Sequence, residues 1–107
     1  MAAKAAGVQH IIRWSIVGAD QKSRRSLPRH QGRIDDLVLD CGSATTIRRP
    51  NMLMQNFTDR FRDMIDHGAL YLLHGEGAAS LIDADDVARA SVQTLLDPTS
   101  HQSRIIP

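Results

Sequence analysis

The segment TIRRPNMLMQNF, residues 46–57, is the most informative part of this sequence about its fold. It joins a β-favouring run, which ends in Ile47, to a Met- and Phe-rich pattern of helical spacing. Arg49 and Pro50 lie between the two. Proline disfavours helix at the residue before it and suits the first turn of a helix that follows. The sequence therefore predicts a strand that ends near Arg49 and a helix that begins just after it. In open α/β sheets, ligands bind at such a junction, outside the carboxyl end of a strand.

Two strands and a connecting helix are predicted upstream of this junction. Residues 10–17, HIIRWSIV, are almost continuously apolar, which is typical of a strand buried on both faces of a parallel sheet. Residues 44–49 form the second strand, and residues 29–41 predict an amphipathic helix closed by Gly42. Its apolar positions are Ile34, Leu37, Val38 and Cys41, with Asp35, Asp36 and Asp40 on other faces. Strand, crossover helix and strand imply one parallel βαβ unit.

Shorter elements are predicted around this unit. Residues 2–7 predict the end of a helix closed by Gly7. The other predictions are a helix over 51–67, a short strand over 69–74, a turn over 75–80, an extended run over 79–82, a helix between Asp83 and Asp97, and a frayed tail over 99–107. Asp83 is expected to cap the last helix. The apolar stripe of that helix is Val87, Ala88, Ser91, Val92 and Leu95.

Composition is ordinary for a soluble globular chain of one domain. The 107 residues are 42% hydrophobic and 23% charged, and the formal net charge is +1. That charge gives no support to a nucleic-acid or membrane partner. No apolar run reaches membrane-spanning length, and residues 1–10 lack the apolar core of a secretory signal, so we expect neither a membrane span nor a signal. A single cysteine, Cys41, fits a reducing compartment, so we expect a cytoplasmic protein.

The segments RRPNMLMQNF (48–57) and GALYLLHGEGAASLIDADDVARA (68–90) resemble the later portion of the NmrA-like family, which are atypical short-chain dehydrogenases/reductases. The segments at 5–20 and 33–50 are similar to that family's fifth strand, following helix and sixth strand. The resemblance covers nearly the whole chain. It implies a partial Rossmann-like α/β fold, in which residues 1–107 are the C-terminal part of an NAD(P)-binding domain. The family's first strand and Gly-rich dinucleotide loop are missing from the sequence, so we expect the N-terminal half to be lacking.

This resemblance implies an NAD(P)H-dependent oxidoreductase lineage that acts on quinone-like or small carbonyl substrates, with NADP or NAD as cofactor. Without the Gly-rich loop there is no strong anchor for the diphosphate, so we expect the chain to be inactive alone. Its expected partner is a complementing N-terminal half or a second copy. Two alternatives stay open: a non-enzymatic redox-sensing or regulatory module, and a truncated remnant.

Ser15 lies on the strand that carries the catalytic hydroxyl in short-chain dehydrogenases. In that family a Tyr and a Lys complete the proton-transfer machinery, and Pro28 and Gly32 stand at those positions here. The catalytic residue is therefore unknown, although many NmrA-like members also lack the pair. An ordinary strand serine is the alternative interpretation of Ser15.

The resemblance implies two sets of site residues. The expected cofactor-binding residues are Ser15, Arg49, Pro50 and Asn51, and the expected substrate-binding residues are His30, Met54, Asn56 and Phe57. Helix capping by Asn51, a solvent-facing His30, and core packing of the Met and Phe side chains are the structural alternatives. The five histidines have no metal-ligand spacing, so no metal is expected.

Overall fold

A computed structural model of the chain describes residues 2–72, 76–101 and 104–107. Its centre is a parallel three-stranded sheet in the order β1-β2-β5, formed by His10–Trp14 (β1), Ala44–Arg48 (β2) and Arg104–Ile106 (β5). Ile11 lies opposite Thr45, and Ile47 lies opposite both Arg13 and Ile105. The predicted parallel pairing of the first two strands is confirmed.

Helices lie on both faces of this sheet. The α-helices are Ala2–Ala5 (α1), Ser26–Leu39 (α2), Arg62–Asp66 (α3) and Ala84–Leu96 (α4); a second small parallel sheet pairs Met52–Leu53 (β3) with Leu81–Ile82 (β4), and 3-10 helices span Met54–Phe57 and Pro98–Ser100. Successive side chains of a strand point to opposite faces. Arg13 of β1 bonds to Asp35 of α2, whereas its neighbour Trp14 bonds to Ser91 of α4. The fold is therefore α/β and partly Rossmann-like.

The core around β2 is held as much by hydrogen bonds as by apolar contacts. Ile47 is fully buried, but so is Thr46, which is 0% exposed. The Thr46 hydroxyl donates to the carbonyl of His101 at 2.7 Å, and His10 Nε2 lies 2.9 Å from the same oxygen. Because the only hydroxyl proton goes to a carbonyl, His10 Nε2 is the donor in the second bond. This chain of bonds joins the start of β1 and the middle of β2 to His101, three residues before β5.

Gly32 allows the loop after β1 to lie against α2. A β-carbon at this position would approach the Cα of Asp20 to 2.7 Å, closer than non-bonded carbons come in proteins. The glycine, which weakens the helix by propensity, is therefore required by packing.

The helix predicted over residues 51–67 is wrong. The Asn51 side chain accepts from the Met52 amide at 2.9 Å, and Met52–Leu53 pairs as β3 with β4, so the backbone is extended there. The chain is helical only over Met54–Phe57 and Arg62–Asp66. Pairing with a distant strand overrides the local helical spacing.

The frayed tail predicted over residues 99–107 is also wrong, because Arg104–Ile106 pairs with β2. Residues 69–72 form no strand. The rest of that predicted strand, residues 73 and 74, and the first residue of the predicted turn, Gly75, lie outside the described residues.

Both long helices are rotated from their predicted orientation. In α2, Leu37 is 71% exposed while Asp35 is only 1% exposed. In α4, Thr94 is buried while Val92 and Leu95 are exposed. Buried polar side chains of the strands need hydrogen-bond partners, so polar residues of the helices face the sheet. The spacing of apolar residues does not predict this. The first strand is not buried on both faces, since Trp14 is 41% exposed and β1 is an edge of the described sheet.

The start of α4 agrees with prediction. The Asp83 carboxylate accepts from the Asp85 amide at 2.7 Å, and Gln55 donates to the same carboxylate at 3.0 Å. Both hydrogen bonds lower the pKa of Asp83, and the bond from the Asp85 amide has the larger effect. Among the helices that the structure describes, none has the length and apolar character needed to cross a membrane.

Candidate functional site

The candidate site is the edge of the sheet where β1, β2 and β5 all end. Pairing continues past the regular strands, since the Val17 amide donates to the Pro50 carbonyl at 3.2 Å. The Arg49 amide donates to the carbonyl of Ile106 at 2.8 Å. The first predicted strand therefore stays paired as far as Val17. Ligands of parallel α/β sheets bind at this edge.

Beneath this edge, several side chains donate hydrogen bonds to one buried carboxylate, that of Asp35. Asp35 Oδ1 accepts from Arg13 Nε at 2.7 Å. Its Oδ2 accepts from the Ser15 hydroxyl at 2.8 Å and from Arg49 Nε and Nη2 at 3.2 and 2.9 Å. Arg13 Nη2 also donates to Gln31 Oε1. Arg13 of β1 is thus joined to Ser15, just after β1, and to Arg49, just after β2, through one residue of α2.

This Asp35 cluster, defined as Asp35 with Arg13, Ser15 and Arg49, carries an excess of one positive charge. Two guanidinium groups share a single carboxylate, which is stable when buried because both of its oxygens are paired. The side chains of Arg13 and Arg49 remain 17% and 23% exposed. The uncompensated charge therefore lies at the surface, on the arginines.

Two clefts open on Arg49. The strand-end cleft, of about 230 Å3, is lined by Val17, Gly18, Arg49, Ile105 and Pro107. The α2 cleft, of about 330 Å3, is lined by Ala19, Asp20, Gln21, Lys22, Gly32, Asp36 and Arg49. Arg49 is the residue that the two clefts share.

The structure brings two of the sequence-predicted cofactor residues together, Ser15 and Arg49, through Asp35. Pro50 lines a small separate cleft against α4. Asn51 is exposed three residues after β2, and its side-chain oxygen accepts from the next amide in the chain. All four lie at the carboxyl edge of the sheet.

The expected substrate residues lie elsewhere. His30 is exposed on α2 in an open cleft of about 410 Å3, whose other lining residues are Ser26, Leu27, Arg29 and Arg33. Met54, Asn56 and Phe57 belong to a 3-10 helix, where the Phe57 ring packs edge-to-face against Phe61 at 5.8 Å. None of these four lines the strand-end cleft or the α2 cleft.

Sequence reasoning missed Asp35 and Arg13. The apolar periodicity of α2 predicts that Asp35 lies on an outer helix face, although it is the most buried charged group in α2. The signal was the arginine within the apolar run HIIRW, because a charge in such a strand requires a counter-charge from the packed helix. Among the described residues there is no group of three or more His, Cys, Asp or Glu side chains that could hold a metal ion.

The chain is similar to two reductases and to an uncharacterized oxidoreductase. It is 35% identical over 106 residues, 99% of its length, to NAD(P)H azoreductase of Xenophilus azovorans. It is 29% identical over 104 residues, 96% of its length, to (4-alkanoyl-5-oxo-2,5-dihydrofuran-3-yl)methyl phosphate reductase of Streptomyces griseus. It is also 40% identical over 63 residues, 57% of its length, to the uncharacterized oxidoreductase YesF of Bacillus subtilis.

These matches cover 37%, 36% and 22% of the respective relatives. The chain thus spans little more than a third of the length of the first two. The chain matches no protein-family model.

Proposed function

We propose that this chain is part of an NAD(P)H-dependent reductase of the NmrA-like type, and that its strand-end edge frames the nicotinamide and the substrate. The substrates are small, unsaturated and reducible: quinone-like or carbonyl compounds, or azo compounds as in the name of one relative. The observation that carries the proposal is the similarity to an NAD(P)H azoreductase along 99% of the chain.

The geometry at the sheet edge supports this proposal. Arg49, Pro50 and Asn51 follow directly after a central parallel strand. The nicotinamide end of a bound dinucleotide would lie at this edge of the sheet. When bound, the cofactor supplies the hydride. The residues of this chain orient the acceptor and shield it from water. The hydroxyl of Ser15 donates to Asp35, so in this arrangement it fixes the Asp35 cluster.

We further propose that dinucleotide binding requires an additional segment that carries a phosphate-binding loop. The described strands and helices offer no Gly-rich turn that opens a helix, the arrangement that holds a diphosphate. A complementing N-terminal half of a reductase of this type would supply it.

Titration of the chain with NADPH tests the proposal, with energy transfer from Trp14 to the nicotinamide as readout. NADPH is titrated into the chain alone and into the chain mixed with the N-terminal half of the azoreductase relative. The rate of NADPH oxidation is then measured in the presence of a quinone or an azo dye. Micromolar binding only after mixing supports both proposals. Micromolar binding by the chain alone supports the reductase proposal but contradicts the need for an additional segment. Absence of binding and of NADPH oxidation in both arrangements would contradict the reductase proposal.

Asn51→Ala is the informative variant, and Asn56→Ala is its matched control. The first removes an amide from the strand-end edge, whereas the second removes the same group from the 3-10 helix. We expect NADPH affinity to fall in the first variant only.

A further inference from the structure

We propose that Arg49 binds the acidic group of the substrate, and that the strand-end cleft accepts the apolar body of a small unsaturated carboxylate, sulfonate or phosphate. This inference rests on the proposed function, because it names the substrate class of the same sheet edge. It assigns to Arg49 a contact with the substrate rather than with the cofactor.

The charge of the lining residues distinguishes the two clefts. In the strand-end cleft, Arg49 is the one charged side chain among the lining residues, and Val17, Ile105 and Pro107 form apolar walls. In the α2 cleft, the positive charges of Lys22 and Arg49 are matched by two carboxylates, Asp20 and Asp36. Counting side chains, the strand-end cleft therefore has one unmatched positive charge and the α2 cleft has none. Apolar walls around a single cation suit a ligand with an apolar body and one acidic end.

Arg49 is already held in a binding geometry. Its amide is fixed to the carbonyl of Ile106, and its Nε and Nη2 are fixed to Asp35. Within the described part of the chain, these bonds leave Nη1 and one proton of Nη2 free. Those two groups form the distal fork of the guanidinium, which matches the two oxygens of a carboxylate or a phosphate. A ligand gains this fork without having to order the side chain.

The size of the strand-end cleft limits what binds in it. Its volume of about 230 Å3 is below the range of roughly 300–1,000 Å3 that holds a drug-sized ligand. An aromatic acid of one ring or two fused rings fits this space, whereas a whole dinucleotide does not.

The test compares 2-naphthoate with methyl 2-naphthoate, which share the aromatic body and differ in charge. We expect the acid to bind the intact chain about tenfold more tightly, as measured by calorimetry, because a charged hydrogen-bonded pair contributes about that much. The preference should shrink as salt rises. Arg49→Gln should remove it, whereas Arg60→Gln, at an exposed arginine outside both clefts, should leave it unchanged.

The comparison of acid and ester in the unmodified chain stands even where Arg49→Gln destabilises the fold. Equal affinity for the two compounds would overturn the inference. Inorganic pyrophosphate is titrated in parallel, since the cofactor diphosphate has the same anionic chemistry. Tighter binding of pyrophosphate than of naphthoate, lost in Arg49→Gln, would assign Arg49 to the cofactor and would also overturn it.

Failure here is distinguishable from failure of the proposed function. Acid-over-ester selectivity needs no cofactor, so it can hold in a chain that never binds NADPH. Conversely, NADPH oxidation without acid-over-ester selectivity would refute only the substrate class.

Discussion

Replacing Asp35 by asparagine tests whether the Asp35 cluster holds the two strands to α2. The carboxylate is 1% exposed and accepts four hydrogen bonds, two of them from one guanidinium. Asparagine has almost the same shape but only one accepting oxygen. If that oxygen faces Arg13, its amide protons face the donors of Ser15 and Arg49. Two arginines are then left without a counter-charge.

The expected loss of stability is about 3 kcal/mol. Removing one partner of a buried ion pair costs about 3–5 kcal/mol, and the lower value applies because both guanidinium groups still reach water. A chain of 107 residues has a total stability on the order of 5–15 kcal/mol. The loss therefore corresponds to a fall in melting temperature of roughly 10–20 °C.

Urea unfolding followed by fluorescence of Trp14, the single tryptophan, measures this loss. Its indole donates to Ser91, so the signal reports on the seating of α4 against the sheet. We expect the midpoint to fall by roughly 2 M urea with an unchanged slope. Asp36→Asn, at the next residue of α2, is the matched control because no hydrogen bond of its side chain is among those described.

If the loss of unfolding free energy for Asp35→Asn lies within about 0.5 kcal/mol of that for Asp36→Asn, the Asp35 cluster does not hold the strands to α2. A second comparison removes the charges together, with Arg13→Met, Asp35→Leu and Arg49→Met in one chain. Replacing a whole buried ion cluster by apolar side chains is close to neutral, so most of the lost stability should return. If it does not return, apolar packing around Asp35 rather than its charge explains the loss.

Three further perturbations follow from the packing and the capping bonds. Gly32→Ala should destabilise the chain by about 1–2 kcal/mol in urea unfolding, despite the gain in helix propensity, because its β-carbon meets loop backbone. Thr46→Val should cost about 1–3 kcal/mol by the same measurement, since the carbonyl of His101 loses its donor. The pKa of Asp83 is lowered in the folded chain, so the stability it adds is present above its unfolded pKa and is lost as pH falls through the folded pKa. In Asp83→Asn, the helical circular dichroism signal should therefore fall less steeply as the pH is lowered.

Each of these perturbations has a control of the same chemistry at an exposed position. Arg33→Ala adds helix propensity next to Gly32 without a clash, so it should not destabilise the chain. Thr58→Val removes an exposed hydroxyl and should cost little. Asp59→Asn removes an exposed carboxylate and should leave the acid loss in place. The packing argument for Gly32 is contradicted if Gly32→Ala stabilises the chain. The hydrogen-bond argument for Thr46 is contradicted if Thr46→Val leaves the unfolding free energy unchanged. The capping argument for Asp83 is contradicted if Asp83→Asn and Asp59→Asn lose helical circular dichroism over the same pH range.

Local signals predicted the elements that depend on short-range chemistry. The apolar run 10–17 and the β-favouring run 44–49 marked the two strands, and Asp83 marked the start of α4, because strand formers and caps act within a few residues. The same reasoning failed over residues 51–67, where β3 depends on a partner almost thirty residues away. It also failed for the tail, where β5 completes the sheet.

From the amino-acid sequence one can infer a parallel strand–helix–strand unit with Arg49, Pro50 and Asn51 after the second strand. The pairing of Asp35 with Arg13 and Arg49, and of β5 with β2, is evident only in the folded chain. A buried charge is placed by the partners that compensate it, and those partners lie on different elements. Periodicity reports which side chains avoid water. It does not report which polar side chain the fold must bury to pair an arginine.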